Sequence, residues 1–267
     1  FGRVNPKDVE AAITPATMLV SIMYANNEVG TINPITEISK IVRSKGIIFH
    51  VDACQAGCYL DLDVEELGVD LLTLNSSKIY GPKGVGMLYV RSGTKLKQLF
   101  HGGGQENNLR SGTENVSGIV GFAEALRLAQ ESRDEESKRL MHLRDKLTKL
   151  VQERIPKVKL NGHPTERLPN NVNISFLDVE GESIVLHLNE KGIYVSTGSA
   201  CTSQTLRASH VLKAMGLSDE VAHGSVRFTL GRRTTEEDIW YTVSNLQEII
   251  HSLRQISPVK LSMEEVK

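Results

Sequence analysis

Cysteine is scarce. Cys54, Cys58 and Cys201 are the three in 267 residues. An odd and low count excludes a disulfide framework and fits a reducing compartment, so a cytoplasmic location is expected. Cys54 and Cys58 stand four apart with no second Cys or His pair to complete a zinc pattern, so no metal site is expected, and both are expected to pack near a sheet. Long apolar runs are missing too: none approaches the roughly 20 residues that span a bilayer, and no leader pattern opens the chain. Charge of one sign is also absent. A formal net charge of −1 offers no basic excess for nucleic acid or a membrane surface, and neither partner is expected. There is no internal repeat and no low-complexity tract.

What is present is ordinary globular composition, 40% apolar and 24% charged, in a length that suits one large α/β domain or two modest ones. Short apolar runs at Met18–Met23, Gly46–Val51, Leu71–Leu74 and Val85–Val90 read as buried strands. Between the first two, Ile35, Ile38, Ile41 and Val42 fall on one helical face, and Pro34 suits a first turn. Strand, helix, strand at this length predicts a βαβ unit and a largely parallel sheet. A long helical region is expected from about Glu114 to Arg154, with the charged stretch Glu131–Arg139 as the domain hinge. After Pro156 the pattern predicts a smaller α/β domain: strands at Val172–Phe176, Ile193–Ser196 and Val226–Leu230, and helices at Glu180–Lys191, Ala208–Met215 and Thr235–Leu253. The polar tail Pro258–Lys267 is expected to fray. The chain opens with Phe1 in what reads as mid-domain, as a fragment, a processed product or a chain without its first part would.

Three strand ends carry candidate chemistry. Lys78 lies in Ser76-Ser77-Lys78-Ile79-Tyr80-Gly81-Pro82-Lys83-Gly84, just beyond a strand, where α/β folds place ligands. It could bind phosphate, form a Schiff base or simply be solvated, and taken alone it is read as solvated. The glycine spacing is not that of a phosphate-cradling Walker loop. In His50-Val51-Asp52-Ala53-Cys54-Gln55, His50 and Asp52 share one side of a strand. An acid at the end of an apolar sheet needs a partner, which could be a helix cap, a buried ion pair or a protonated pyridine nitrogen. Asn26-Asn27-Glu28-Val29-Gly30 is ordinary turn chemistry. Cys201 sits in the small, polar run Ser196–Ser203, a loop composition.

Taken together and in order, these segments resemble the cysteine desulfurases, pyridoxal-phosphate enzymes of the aspartate-aminotransferase fold. The likeness continues in Gly102-Gly103-Gly104-Gln105-Glu106, Arg110-Ser111-Gly112-Thr113-Glu114-Asn115, Thr197-Gly198-Ser199-Ala200-Cys201 and Ser225-Val226-Arg227-Phe228, and so runs along the whole chain. The Gly-Ser-Ala-Cys form resembles the class that serves general or nitrogenase-type iron–sulfur assembly. The resemblance implies a fold type I pyridoxal-phosphate-dependent transferase: a large domain with a mainly parallel sheet at 1–131, incomplete at its N-terminus, and a smaller C-terminal α/β domain at 132–267 that carries the cysteine loop.

It also implies roles. Lys78 would carry pyridoxal 5'-phosphate and shuttle a proton at the substrate Cα, Asp52 would pair with the ring nitrogen, and Gln55 would bond the phenolic oxygen, with Asn27 beside that oxygen and the substrate. Arg227 would clamp the carboxylate of L-cysteine, a two-pronged task that suits guanidinium. Thr113 would reach the cofactor phosphate of a second subunit, implying a homodimer. Cys201 would attack the substrate sulfur, leaving L-alanine and a persulfide for an iron–sulfur scaffold or another acceptor protein. Two positions depart from the family pattern. Ser77 stands where a histidine usually precedes the lysine, and Asn75 where a serine often bonds the phosphate; Asn75, Ser76 and Ser77 can still bond an oxygen anion. The family's N-terminal portion, with a phosphate-binding turn and a histidine stacked on the ring, has no counterpart in the chain, so weak cofactor binding and slow turnover are expected. Selenocysteine lyase, an aminotransferase on the same fold, and a non-catalytic fragment that keeps dimer and partner surfaces are the alternative readings.

Overall fold

The computed structural model describes residues 1–198, 208–258 and 260–262. Their contacts group into two units. The N-terminal unit comprises Val4–Tyr24 and Asn33–Arg133; the C-terminal unit comprises Phe1–Arg3, Ala25–Ile32 and Asp134 onward. The division falls inside the charged stretch Glu131–Arg139. The short pieces at 1–3 and 25–32, which a simple cut at 131 would leave in the first domain, belong to the second unit.

The N-terminal unit runs α1 (Pro6–Ala12), β1 (Leu19–Met23), α2 (Ile35–Ser44), β2 (Ile48–Asp52), α3 (Val64–Leu67), β3 (Leu71–Asn75), a 3-10 turn at Ser76–Lys78, β4 (Gly86–Val90), a kinked turn α4 (Gln105–Asn108) and α5 (Val116–Glu131). The sheet order is β1-β2-β3-β4, with the first three strands parallel and β4 antiparallel to β3. The expected βαβ unit is β1-α2-β2. α2 buries Ile35, Ile38, Ser39 and Val42, the apolar stripe of the sequence, in a core shared with Phe49, Val51, Leu72 and Leu74. Burial alternates along β2, so Phe49 and Val51 enter the core while His50 and Asp52 share the other face.

The long helical region expected over 114–154 is two helices, α5 and α6 (Arg133–Arg154), parted at Ser132. The reason is local. The Ser132 hydroxyl bonds back to the Leu128 carbonyl at 2.8 Å, and Asp134, Glu135 and Glu136 suit a new helix N-terminus, where the peptide dipoles favour negative charge. In the C-terminal unit, α6 buries Leu140, Leu143, Leu147, Leu150 and Val151. It is followed by β5 (Val158–Asn161), β6 (Asn171–Phe176), α7 (Gly181–Glu190), α8 (His210–Ala214), α9 (Asp219–His223), β7 (Ser225–Thr229) and α10 (Glu236–Ile256). The strands form an antiparallel sheet in the order β5-β6-β7. The strand expected at Ile193–Ser196 reduces to one bridge between Ser196 and Arg227. Thr235 opens α10 through a reciprocal capping box with Asp238. The tail expected to fray is tied at Leu261, whose N–H donates to Asp178 at 2.6 Å and whose carbonyl accepts from Lys157 at 2.9 Å.

Candidate active site

In the N-terminal unit the candidate residues cluster at the C-terminal ends of β2 and β3, parallel neighbours paired at Asp52 and Thr73. Asp52 is half-buried and its Oδ1 accepts from the Cys54 N–H at 3.0 Å. His50, on the same face, bridges its neighbours, Nδ1 to Ser21 Oγ and Nε2 to Thr73 Oγ1, both at 2.8 Å. Burial holds the His50 pKa below its ordinary value, and the negative charge of Asp52 opposes that only in part. Cys54 lies within the field of both candidate ionic groups. Burial first, then the bond to and charge of Asp52, push its thiol up to about 12, against the pull of the positive Lys78. Cys54 is therefore a thiol rather than a thiolate near neutrality and is not a ready nucleophile. Cys58 packs in the core, with its sulfur 3.8 Å from the Lys78 carbonyl.

Lys78 is exposed at the end of the 3-10 turn that follows β3. Asn75 caps that turn: its Oδ1 accepts from the Ser77 N–H at 2.9 Å and from the Ser77 hydroxyl at 2.8 Å. Ser76 points inward, so its expected place among the oxyanion donors is corrected. Its Oγ is buried without a hydrogen bond, and a Cβ added at Gly81 would stand 2.3 Å from it. Asn75 and Ser77 remain as exposed polar side chains beside Lys78, with the Ser77 hydroxyl proton given to Asn75 Oδ1 and the Asn75 amide nitrogen as the donor. Gln55 is half-buried one turn beyond Asp52, and Thr113 is exposed in the loop before α5; neither bonds to the residues above.

This set fits a phosphorylated pyridine aldehyde. Asp52 suits a ring nitrogen, the Lys78 amine suits the aldehyde carbon, and the Asn75 amide and Ser77 hydroxyl suit an oxygen anion. Among the described residues no cluster of His, Cys, Asp and Glu could hold a metal ion.

In the C-terminal unit the structure brings Asn27 and Arg227 together. Arg227 Nη1 donates to the Asn27 carbonyl at 3.0 Å. The next two carbonyls of the same turn are held as well, that of Glu28 by Asn173 Nδ2 at 3.2 Å and by Asn171 Nδ2 at 3.3 Å, and that of Val29 by Arg167 Nη2 at 3.1 Å. Gly30 closes the turn at φ +75°, with Asn171 2.8 Å from where a Cβ would lie, so only glycine fits. The Arg227 main chain is bridged in both directions to Ser196, two residues before Gly198. Cys201 itself lies outside the described residues.

Sequence reasoning missed Glu28, Ser209, Arg167, Asn171 and Asn173 as parts of this assembly. One signal was available. Asparagine is depleted in strands, so Asn171 and Asn173 in a strand buried along its whole length demand hydrogen-bond partners.

The family model of aminotransferase class V matches residues 1–241. The chain belongs to the aminotransferase class-V family. This class-V chain is 55% identical over 259 residues to "Cysteine desulfurase IscS" of Dictyoglomus turgidum, covering 97% of the chain and 66% of that protein. It is 50% identical over 260 residues to the protein of the same name from Clostridium botulinum, with the same coverage. The chain thus spans just under two thirds of these relatives. Among solved structures, a "NIFS-LIKE PROTEIN" superposes with a TM-score of 0.86 at 38% identity, over 94% of this chain and 66% of that one. A structure titled "SspA in complex with cysteine" superposes with a TM-score of 0.70 at 35% identity, over 86% and 63%. The fold is that of the type I pyridoxal-phosphate enzymes, an α/β architecture of which the chain holds part of the large domain.

Proposed function

We propose that this chain is part of a cysteine desulfurase that uses pyridoxal phosphate and acts as a cytoplasmic homodimer. The observation that carries the reading is the placement of an acid, Asp52, and a primary amine, Lys78, around one half-buried thiol at the ends of adjacent parallel strands. The names of relatives half identical or more, and the cysteine bound in a structural neighbour, support the substrate class.

When bound, pyridoxal phosphate supplies an electron sink that weakens bonds at the substrate Cα. The rest falls to the chain's own residues. Lys78 would hold the cofactor and move a proton at the substrate Cα. Asp52 would hold the ring nitrogen, and Gln55 and Asn27 would attend the phenolic oxygen. Asn75 and Ser77 would take the phosphate, with Thr113 reaching the phosphate of the second subunit. Arg227, steadied through Asn27, would take the carboxylate of L-cysteine. Cys201 accepts the sulfur: the substrate C–S bond breaks, an S–S bond forms, and the products are L-alanine and a persulfide on Cys201. No outside oxidant is needed, since a thiol and L-cysteine balance a persulfide and alanine. The persulfide then passes to an iron–sulfur scaffold or another acceptor.

The test is borohydride reduction of the protein with pyridoxal phosphate, followed by peptide mass spectrometry and an alanine assay on L-cysteine. A phosphopyridoxyl mass on Lys78 with alanine release is expected. A label elsewhere, or alanine release undiminished in Cys201→Ala, overturns the proposal.

A further inference from the structure

The turn that carries Lys78 is anchored on both sides of that residue. Ser76 and Ile79 are buried, while Ser77, Lys78 and Tyr80 are exposed. The Ser76 carbonyl accepts two N–H groups, from Ile79 at 3.1 Å and from Gly81 at 3.0 Å. Its own N–H donates to the Val85 carbonyl at 3.2 Å. The bond from Gly81 is the six-residue closure that commonly ends a helix, and it calls for a left-handed residue one place before the donor. That residue is Tyr80, at φ +64°.

Tyrosine is an unusual choice for that post. α2, α3, α7 and α8 also finish with a left-handed residue, and at each it is glycine: Gly46 at φ +67°, Gly68 at φ +66°, Gly192 at φ +74° and Gly216 at φ +89°. Glycine has no Cβ to crowd the following carbonyl, whereas a bulky residue is strained there. In the Lys78 turn the glycine stands one place later, at Gly81, and the strain falls on Tyr80. Such strain persists only where the surroundings enforce it, and here the buried Ser76 and Ile79 do so.

We infer that Tyr80 is a positioning residue for Lys78, and that its strained backbone sets how readily the Lys78 turn opens. The inference rests on the reading of Lys78 as the lysine that holds pyridoxal phosphate. In that reading Lys78 has two stations. It is joined to the aldehyde carbon of the cofactor, and it is released as a free amine when an incoming amine takes that carbon. The turn must give between the two. A turn closed over a strained residue opens more readily than one closed over glycine, because opening lets the backbone return to a favoured region. The effect belongs to the main chain of Tyr80. It should therefore follow left-handed tolerance at that position: glycine first, asparagine next, then alanine and tyrosine.

The test compares Tyr80→Gly, Tyr80→Asn and Tyr80→Ala with the parent in the full chain. Three quantities are read. Two need no added cofactor: the thermal midpoint, and amide hydrogen exchange of peptides covering 76–85. The third is the rate at which hydroxylamine displaces Lys78 from bound pyridoxal phosphate, followed by absorbance. In Tyr80→Gly exchange should slow about two- to fivefold, the relief of left-handed strain less the freedom glycine gains on opening. The midpoint should rise by about 1–4 °C, and displacement should slow by the same factor as exchange. Tyr80→Asn should fall between glycine and the parent, and Tyr80→Ala closer to the parent. A lower midpoint or faster exchange in Tyr80→Gly removes the strain and overturns the inference. Slower exchange with displacement at the parental rate makes the strain purely structural and overturns it too. So does displacement that shifts as much in Tyr80→Ala as in Tyr80→Gly, which assigns the effect to the phenol. Each of these leaves the desulfurase reading intact. A parent that takes no phosphopyridoxyl label on Lys78 after borohydride sinks that reading, and the inference with it.

Discussion

The two units hold their functional residues by different means. In the N-terminal unit the buried polar groups are few, Asn33, Ser39 and Ser76, and the core is an apolar sandwich of α2 and a mostly parallel sheet. Its candidate residues stand on the rim, at strand ends, half-buried or exposed. In the C-terminal unit the interior itself is polar: Glu28, Arg144, Asn161, Arg167, Asn171, Asn173 and Asp178 are all buried. Arg144 gives both the Arg167 and Leu168 carbonyls an N–H at 3.1 Å, and Asn161 Nδ2 bonds Asn173 Oδ1 and Ser175 Oγ at 2.8 Å each. An apolar core tolerates exchange of shape at a rim site, whereas a buried hydrogen-bond network fixes geometry and fails when one member is lost. The contrast matches the proposed tasks. A cofactor brings its own rigid frame, but a substrate clamp and a reacting cysteine must be held by the protein.

The strongest way to break this comparison is Lys78→Ala. It should abolish the borohydride-fixed label and lower alanine formation roughly 10⁴-fold, the upper end of what one positioned acid–base group contributes. Near-infrared or ultraviolet thermal scans should show an almost unchanged folded state, because Lys78 is exposed. A second, paired experiment sets the two interiors against each other by chemical denaturation. Leu72→Ala, in the apolar core, should cost about 2–5 kcal/mol through the cavity it leaves. Asn173→Ala should cost about 2–4 kcal/mol by leaving the Glu28 carbonyl and the Asn161 amide short of a partner. Only Asn173→Ala should also slow alanine release when measured on the folded fraction; equal slowing by Leu72→Ala would erase the distinction.

Arg227→Lys comes next. The ammonium keeps the charge and loses the fork, so KM for L-cysteine should rise about tenfold or more with a smaller change in kcat. A change confined to kcat would argue against a carboxylate clamp. The smallest effect is the pH dependence of the N-terminal unit. Burial depresses the His50 pKa, so the unfolded chain takes up the proton first as pH falls. Stability is then full above about pH 6.5, the ordinary histidine value, and drains as pH drops through the lower folded pKa. Unfolding midpoints measured between pH 7 and pH 5 should fall more steeply in the parent than in His50→Gln; parallel curves would remove His50 as the cause.

Much of the N-terminal unit was legible in the residues. The period of Ile35, Ile38 and Val42 placed α2, and the alternation through His50 and Asp52 placed those two on one face, because local spacing and local geometry coincide there. The break at Ser132 was less legible, since apolar periodicity continues across it and what marks it is the Ser132 hydroxyl bonding back to Leu128 together with the acids that open the next helix. Within the candidate site, the strand-end positions of Asp52 and Lys78 follow from order along the chain. The inward turn of Ser76 does not, because it depends on Gly81 closing over it.

The C-terminal unit marks the limit most plainly. The residues by themselves determined the α/β class, the strand-end acid and lysine, and the likeness to cysteine desulfurases, all of which rest on near-neighbour patterns and motif order. Only the tertiary structure decided that an unremarkable Asn-Asn-Glu-Val-Gly turn anchors Arg227, 200 residues away, and pairs its buried Glu28 with Ser209. The physical reason is that buried hydrogen bonds pair donors and acceptors by position in space, and no local propensity records which distant partner will satisfy a given carbonyl or carboxylate.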